Sequence, residues 1–153
     1  MQPNNISFQF EDNGRFHDDL VLRLGDQHWR CDSYYLLIDR GMLADREDAS
    51  KVRDVLRRLL EQWHSSVAAL REGETCYLPY DFSDQGTGWL RCEAIGPDLN
   101  VHHGWAEVEG YSFFPSEVGE LLRNLTGFRP DGREVVMPRS AFLLAIGGQP
   151  EAA

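Results

Sequence analysis

Between residues 81 and 109 the chain carries Asp81, Asp84, His102, His103, Glu107 and Glu109, a local mixture of carboxylates and imidazoles. Such groups ligate divalent metals, and a histidine beside an acid can act as a general base. The spacing limits both uses. His102 and His103 are neighbours, so on a strand they point to opposite faces, and they reach one ion only if a bulge, for which Gly104 is suited, re-aims one of them. No HxxxH spacing presets two ligands on a helix, and Asp81 with Asp84 does not follow a calcium-loop pattern. The enzymatic reading is therefore a His/carboxylate or metal site around His102, His103, Asp81, Asp84 and Glu107. The plainer reading makes Asp81, Ser83 and Asp84 turn residues and leaves the histidines on a solvated face.

Other chemistries lack their signatures. There is no GxSxG elbow and no local catalytic pattern around any Cys or His. Gly86-Thr87-Gly88 lacks the lysine and hydroxyl of a phosphate loop and reads as part of a hairpin turn. His28 and His64 read as structural. Cys31, Cys76 and Cys92 are odd in number, widely spaced and in the apolar parity of strands, which suits core thiols in a reducing compartment better than disulfides or zinc. No cofactor is called for.

Charge is distributed unevenly. From Gly73 to Glu120 nine carboxylates face one cation, Arg91, so that this stretch is net −8 in a chain of net −10. An anionic region of this kind disfavours nucleic acid and anionic membranes and favours a basic protein partner. The same stretch is rich in rings: Tyr77, Tyr80, Trp89, Trp105, Tyr111, Phe113 and Phe114. Some must fill the core. Trp89 takes the parity opposite Leu90 and Cys92, so it is a candidate for an exposed ring among carboxylates, the usual make-up of a protein-binding patch.

The elements that would position these residues follow from periodicity. Val52, Val55, Leu56, Leu59, Leu60, Trp63, Val67 and Leu70 line one side of a helix from about Asp45 to Arg71, with Asp45 as a cap, an Asp54–Arg58 pair on its surface and Gly73 as a stop. Before it, alternation predicts strands at 6–10, 20–24 and 29–31; the segment 33–39 reads as a strand or as one or two helical turns, and is taken as a short helix that Asp32 or Ser33 caps and Gly41 stops. After it, Cys76, Leu78, Tyr80 and Phe82 share one parity, and with Leu90 to Ala94 and Val101 to Trp105 they predict a meander. A fourth strand is expected at 110–114, a helix entering at Pro115 and carrying Val118, Leu121, Leu122 and Leu125, a loop at 129–132, and a strand at 135–137. Residues 142–146 are apolar on every side and read equally as strand or helix.

The expected fold is α+β: a single layered domain over 1–153, with its core at about 5–146 and 147–153 as a frayed tail. It is mostly antiparallel sheet, with the long amphipathic helix on one face and one or two shorter helices. No signal peptide or membrane span is apparent, so the expected location is cytoplasmic. The expected function is a non-catalytic interaction module whose acidic aromatic face binds a positively charged protein. An inhibitor or immunity-type protein fits that profile by size and charge. Asp81, Asp84, Glu93, Glu107 and Glu109 would supply charge and Trp89, Trp105 and Tyr111 the anchors, in a monomer or weak homodimer.

Overall fold

The computed structural model describes residues 5–39 and 48–147. A three-stranded antiparallel sheet is formed by β1 (Ile6–Phe10), β2 (Leu20–Leu24) and β3 (Gln27–Cys31), paired in that order. The four-residue helix α1 (Tyr34–Leu37) follows, then α2 (Ala49–Ala68). A second, four-stranded sheet is a meander of β4 (Thr75–Ser83), β5 (Gly86–Ile95), β6 (Asp98–Ala106) and β7 (Arg129–Pro138). One turn of helix, α3 (Leu121–Asn124), lies between β6 and β7, and α4 (Arg139–Gly147) ends the described chain. The fold is the expected α+β domain with two antiparallel sheets, one long helix and short ones.

Helix α2 buries the predicted stripe from Val52 through Val67, because those side chains recur on one side of the helix, and Leu70, the last member, is buried just beyond its end. Asp48 caps it, accepting from the Lys51 amide at 3.0 Å. Asp45, the cap expected from sequence, lies outside the described residues, as does Gly41. Arg57 pairs with Asp54 at 2.9 Å, and Arg58 approaches Glu61 at 3.8 Å. At the far end the Arg139 guanidinium donates to the carbonyls of Val67 and Leu70 at 3.4 and 2.8 Å, and Gly73 takes the left-handed conformation at φ 80°.

The layers meet at Trp63. Its ring stacks on Phe8 of β1 at 5.4 Å and its indole N–H donates to the Pro79 carbonyl of β4 at 3.1 Å. Phe8 in turn meets Tyr80 edge-on at 6.0 Å. Helix and both sheets therefore share one core.

Several local expectations give way to tertiary contacts. The pairing of β4 with β5 shifts register between Pro79 and Asp81, so Phe82 is opposite Thr87 and joins the face of Trp89 rather than that of Cys76 and Leu78. Residues 110–114 form turns, not a strand: Ser112 N–H donates back to Glu109, and Phe113 packs on Phe82 and Trp89 at 5.7 and 5.8 Å. The helix expected from Pro115 shrinks to Leu121–Asn124. Ser116 is instead drawn to Asp39, with its amide and hydroxyl each 2.7 Å from the carboxylate, and Gly119 turns left-handed at φ 75°. Residues 129–132 belong to β7 rather than a loop, and 142–146 resolve as helix α4. Gly86 and Gly88 sit inside β5, not in the turn, which is made at Asp84 and Gln85.

Candidate functional site

The β4 bulge separates two polar constellations. Its first residue, Tyr80, turns inward. The Tyr80 hydroxyl lies 2.5 Å from His103 Nε2, and His103 Nδ1 lies 2.6 Å from Asp131 Oδ2 on β7. Trp29 of β3 stacks on the imidazole at 3.9 Å and 6°. His103 is 8% exposed and Tyr80 3%, whereas Asp131, at the outer end of the relay, is exposed. Burial lowers the His103 pKa against the opposing pull of Asp131, and burial raises that of Tyr80. Asp131 is pushed up by partial burial, but the Arg133 amide and His103 outweigh this and leave it low.

The second residue, Asp81, faces an open cleft of about 570 Å³ between β3, α1 and the β4–β5 hairpin, lined also by His17, Asp32, Tyr34, Tyr35 and Asp84. Burial, aided by the charge of Asp32, raises the Asp81 carboxyl to about 6. Asp32 is held by the Asp18 amide at 2.7 Å and approached by His17 at 3.3 Å. Phe16 and Asp18, on either side of His17, both adopt left-handed backbone, at φ 62° and 56°. Non-glycine residues bear a cost of about 1 kcal/mol or more in that conformation, a concentration of strain that favours functional segments.

A small concavity shares Tyr35 with this cleft and continues along Ile38, Gly110, Tyr111 and Phe114. Tyr34, Ile38, Tyr111 and Phe114 are 43, 39, 60 and 43% exposed, and they gather here, whereas Ile95, Val136 and Leu144, also exposed, line neither hollow. Tyr35 donates its hydroxyl to Asp84, and Tyr111 donates to Glu109 at 2.9 Å. That bond, with the Glu109 charge and then Asp84 nearby, raises the Tyr111 pKa.

The loop carrying Tyr111 and Phe114 is fixed at several points. Gly110 N–H donates to the Ser83 carbonyl at 2.7 Å, and a Cβ at Gly110 would come within 2.6 Å of the Ser83 nitrogen, so only glycine fits. Gln62 of α2 donates to the Pro115 carbonyl at 2.9 Å and accepts from the Val118 amide at 2.7 Å. A surface anchored in this way presents its rings with little ordering left to do on binding.

The residues singled out from sequence are thus divided. Asp81 and Asp84 line the cleft, while Tyr111 lines the adjoining concavity and holds Glu109 through its hydroxyl. Trp89 has no exposed surface, because Phe113 and Phe82 cover its face of the sheet, and its indole nitrogen is buried without a hydrogen-bond partner among the described residues. The exposure on which its role as an anchor depended is absent. Trp105 is half-buried, Glu93 lies opposite Thr75 and Asn100 in the middle of the sheet, and Glu107 pairs with Arg129 at 3.3 Å beside a separate hollow. His102 and His103 point to opposite faces, as adjacent strand residues must, and His102 approaches Glu134 at 3.7 Å. The register of β6 with β7 does break between His102 and Gly104, but the extra residues, 131–133, are in β7, so no histidine is re-aimed, and His103 meets Asp131 rather than Asp81, Asp84 or Glu107. Among the described residues no three His, Cys, Asp or Glu side chains are grouped so as to hold a metal.

His17, Asp32, Tyr34, Tyr35, Ile38 and Phe114 were missed as site residues. The adjacent tyrosines of a short helix were the available signal, since one of two neighbouring rings must face away from the core. No family model matches the chain, and neither the curated proteins nor the solved structures yield a match. Among the described residues no helix is long and apolar enough to cross a membrane.

Proposed function

We propose that this protein is a non-catalytic interaction module that docks a positively charged protein through the cleft and the aromatic ridge beside it. One observation carries the reading: exposed Tyr34, Ile38, Tyr111 and Phe114 line two adjoining hollows, the larger of which Asp32, Asp81 and Asp84 also line, with Glu109 bonded to Tyr111. Rings on an anchored backbone supply contact area, and the surrounding carboxylates steer and select a cationic partner. The raised Asp81 pKa fits the same use, because a carboxylate held at a desolvation cost gains most when a cation arrives. Neutralisation of a basic toxin by an immunity-type protein is one role with this chemistry.

Three buried free thiols suit a reducing, cytoplasmic setting, and the acidic face argues against nucleic acid as a partner. A monomer or weak homodimer is the form proposed. The test is a binding measurement on a basic partner captured with the wild-type protein. Tyr111→Ala should weaken binding roughly 10-fold or more, and raising the salt from 0.05 to 0.5 M, two chosen conditions about a decade apart, should weaken it further. Binding insensitive to both would remove the basis for this reading.

A further inference from the structure

The relay of Tyr80, His103 and Asp131 takes no part in docking, yet it is built with care at the junction of the two sheets. Two register breaks meet there, one in β4 between Pro79 and Asp81 and one in β7, where residues 131–133 together lie opposite His103 of β6. The bulged segments carry Tyr80 and Asp131, and both side chains meet the His103 ring.

The donors and acceptors can be assigned from the network. Asp131 as a carboxylate only accepts, so the imidazole proton resides on Nδ1 and is donated at 2.6 Å. Nε2 then holds a lone pair, and the Tyr80 hydroxyl donates to it at 2.5 Å. His103 Nε2 is the one partner recorded for that hydroxyl among the described residues. A second proton on the ring would sit on Nε2, directed at the phenol oxygen. The phenol would then have to turn its own proton away, inside a core that offers it no other acceptor.

We propose that this relay is a proton-operated latch: neutral His103 holds Tyr80 and so the β4 bulge, and protonation of His103 frees Tyr80 and moves the adjoining Asp81 end of the cleft. The groups around the ring set when this happens. Trp29 covers it from β3, Leu90 stands opposite on β5, Tyr80 approaches from β4 with Asp81 acting on Tyr80 in turn, and Asp131 and Arg133 approach from β7. Burial and Arg133 oppose the charged ring, Asp131 favours it, and burial prevails. The latch is therefore closed near neutral pH and opens on acidification. Cys31 adds a second tie, its thiol donating to the Tyr80 carbonyl at 3.4 Å, so displacement of Tyr80 is also felt at the end of β3. The proposal does not depend on what the cleft binds.

The experiment is NMR of the full chain in an Asp81→Asn background, which removes that carboxyl's own titration. Ring nitrogen shifts should show the neutral His103 protonated on Nδ1. Its titration midpoint should fall below 6.5, and the amides of residues 80–82 should follow the same midpoint. Tyr80→Phe removes the donor that favours the neutral ring and should raise the midpoint by roughly half to one pH unit, whereas Asp131→Asn should lower it. A neutral ring protonated on Nε2 in the Asp81→Asn protein would overturn the proposal whatever the further variants do. So would amides of 80–82 that ignore the His103 titration, or a midpoint unmoved by Tyr80→Phe.

Discussion

Tyr80 and Asp81 are consecutive residues of one bulge, but they end in opposite circumstances. Tyr80 enters a relay, buried at Tyr80 and His103 and reaching the surface at Asp131, with hydrogen bonds of 2.5 and 2.6 Å along the line to Asp131. Asp81 faces an open cleft beside another carboxylate, with its pKa driven to about 6. A satisfied buried network stabilises a fold and specifies its geometry. A carboxylate held in an unfavourable place does neither, and proteins retain such groups mainly where function requires them. On the proposed reading, the docking surface lies on the cleft side of the bulge and the scaffold on the other.

Reversing charge at the cleft should produce the largest effect. Asp84→Lys combined with Glu109→Lys is expected to weaken a basic partner by about 3 kcal/mol, over 100-fold, with little change in the unfolding midpoint. Isothermal titration beside a denaturant curve separates the two quantities, and a loss of stability equal to the loss of binding would erase the distinction between surface and scaffold.

On the scaffold side, Asp131→Ala leaves the His103 Nδ1–H without its acceptor and should cost about 1–3 kcal/mol of stability while binding at pH 7.5 stays unchanged. Urea unfolding measures it. A null result would mean that the relay is ornamental.

Asp81→Asn sharpens the comparison by its sign. The Asp81 pKa is raised in the folded state to about 6, so its contribution to stability is fully present below the unfolded value and is lost as pH rises through 6. The variant should therefore be more stable than wild type at pH 7.5, by about 1–2 kcal/mol after allowance for partial exposure, and equal to it near pH 4. His103 acts in the opposite sense. Its folded pKa is depressed, so its contribution is present above about 6.5 and is lost as pH falls through the folded value, and the Asp81→Asn protein should lose stability on acidification more steeply than wild type.

The smallest effect is predicted at Trp89. Trp89→Phe removes an indole N–H that has no partner and some buried volume, so the two consequences offset to within about 1 kcal/mol. Partner affinity should not change, since the ring never reaches the surface.

How much of this could be read from sequence depended on whether the cause was local. The α2 stripe, the meander and the opposed directions of His102 and His103 come from periodicity alone, and they stand. The fate of Trp89 did not, because its burial depends on Phe113, which arrives from a loop more than twenty residues later, and on Phe82, turned over by the bulge. Likewise Ser116 reads as a helix entry until Asp39, far away in sequence, takes both its donors. Of the candidate site, Asp81, Asp84, Glu109 and Tyr111 stand out in the sequence as members of the acidic, ring-rich stretch. His17, Asp32, Tyr34 and Tyr35 were not, since only folding of the first sheet against the second brings them to the cleft. The acidic stretch also overstated its own unity: Glu74 and Glu107 are engaged by Arg123 and Arg129 from outside it.

The docking claim is tested most directly by affinity capture from the cells that make this protein, run in parallel with a variant combining Asp84→Lys, Glu109→Lys and Tyr111→Ala. The account predicts that the wild type retains a basic protein, that salt releases it, and that the variant fails to hold it. Retention of the same proteins by both, or of no basic protein by either, would contradict it.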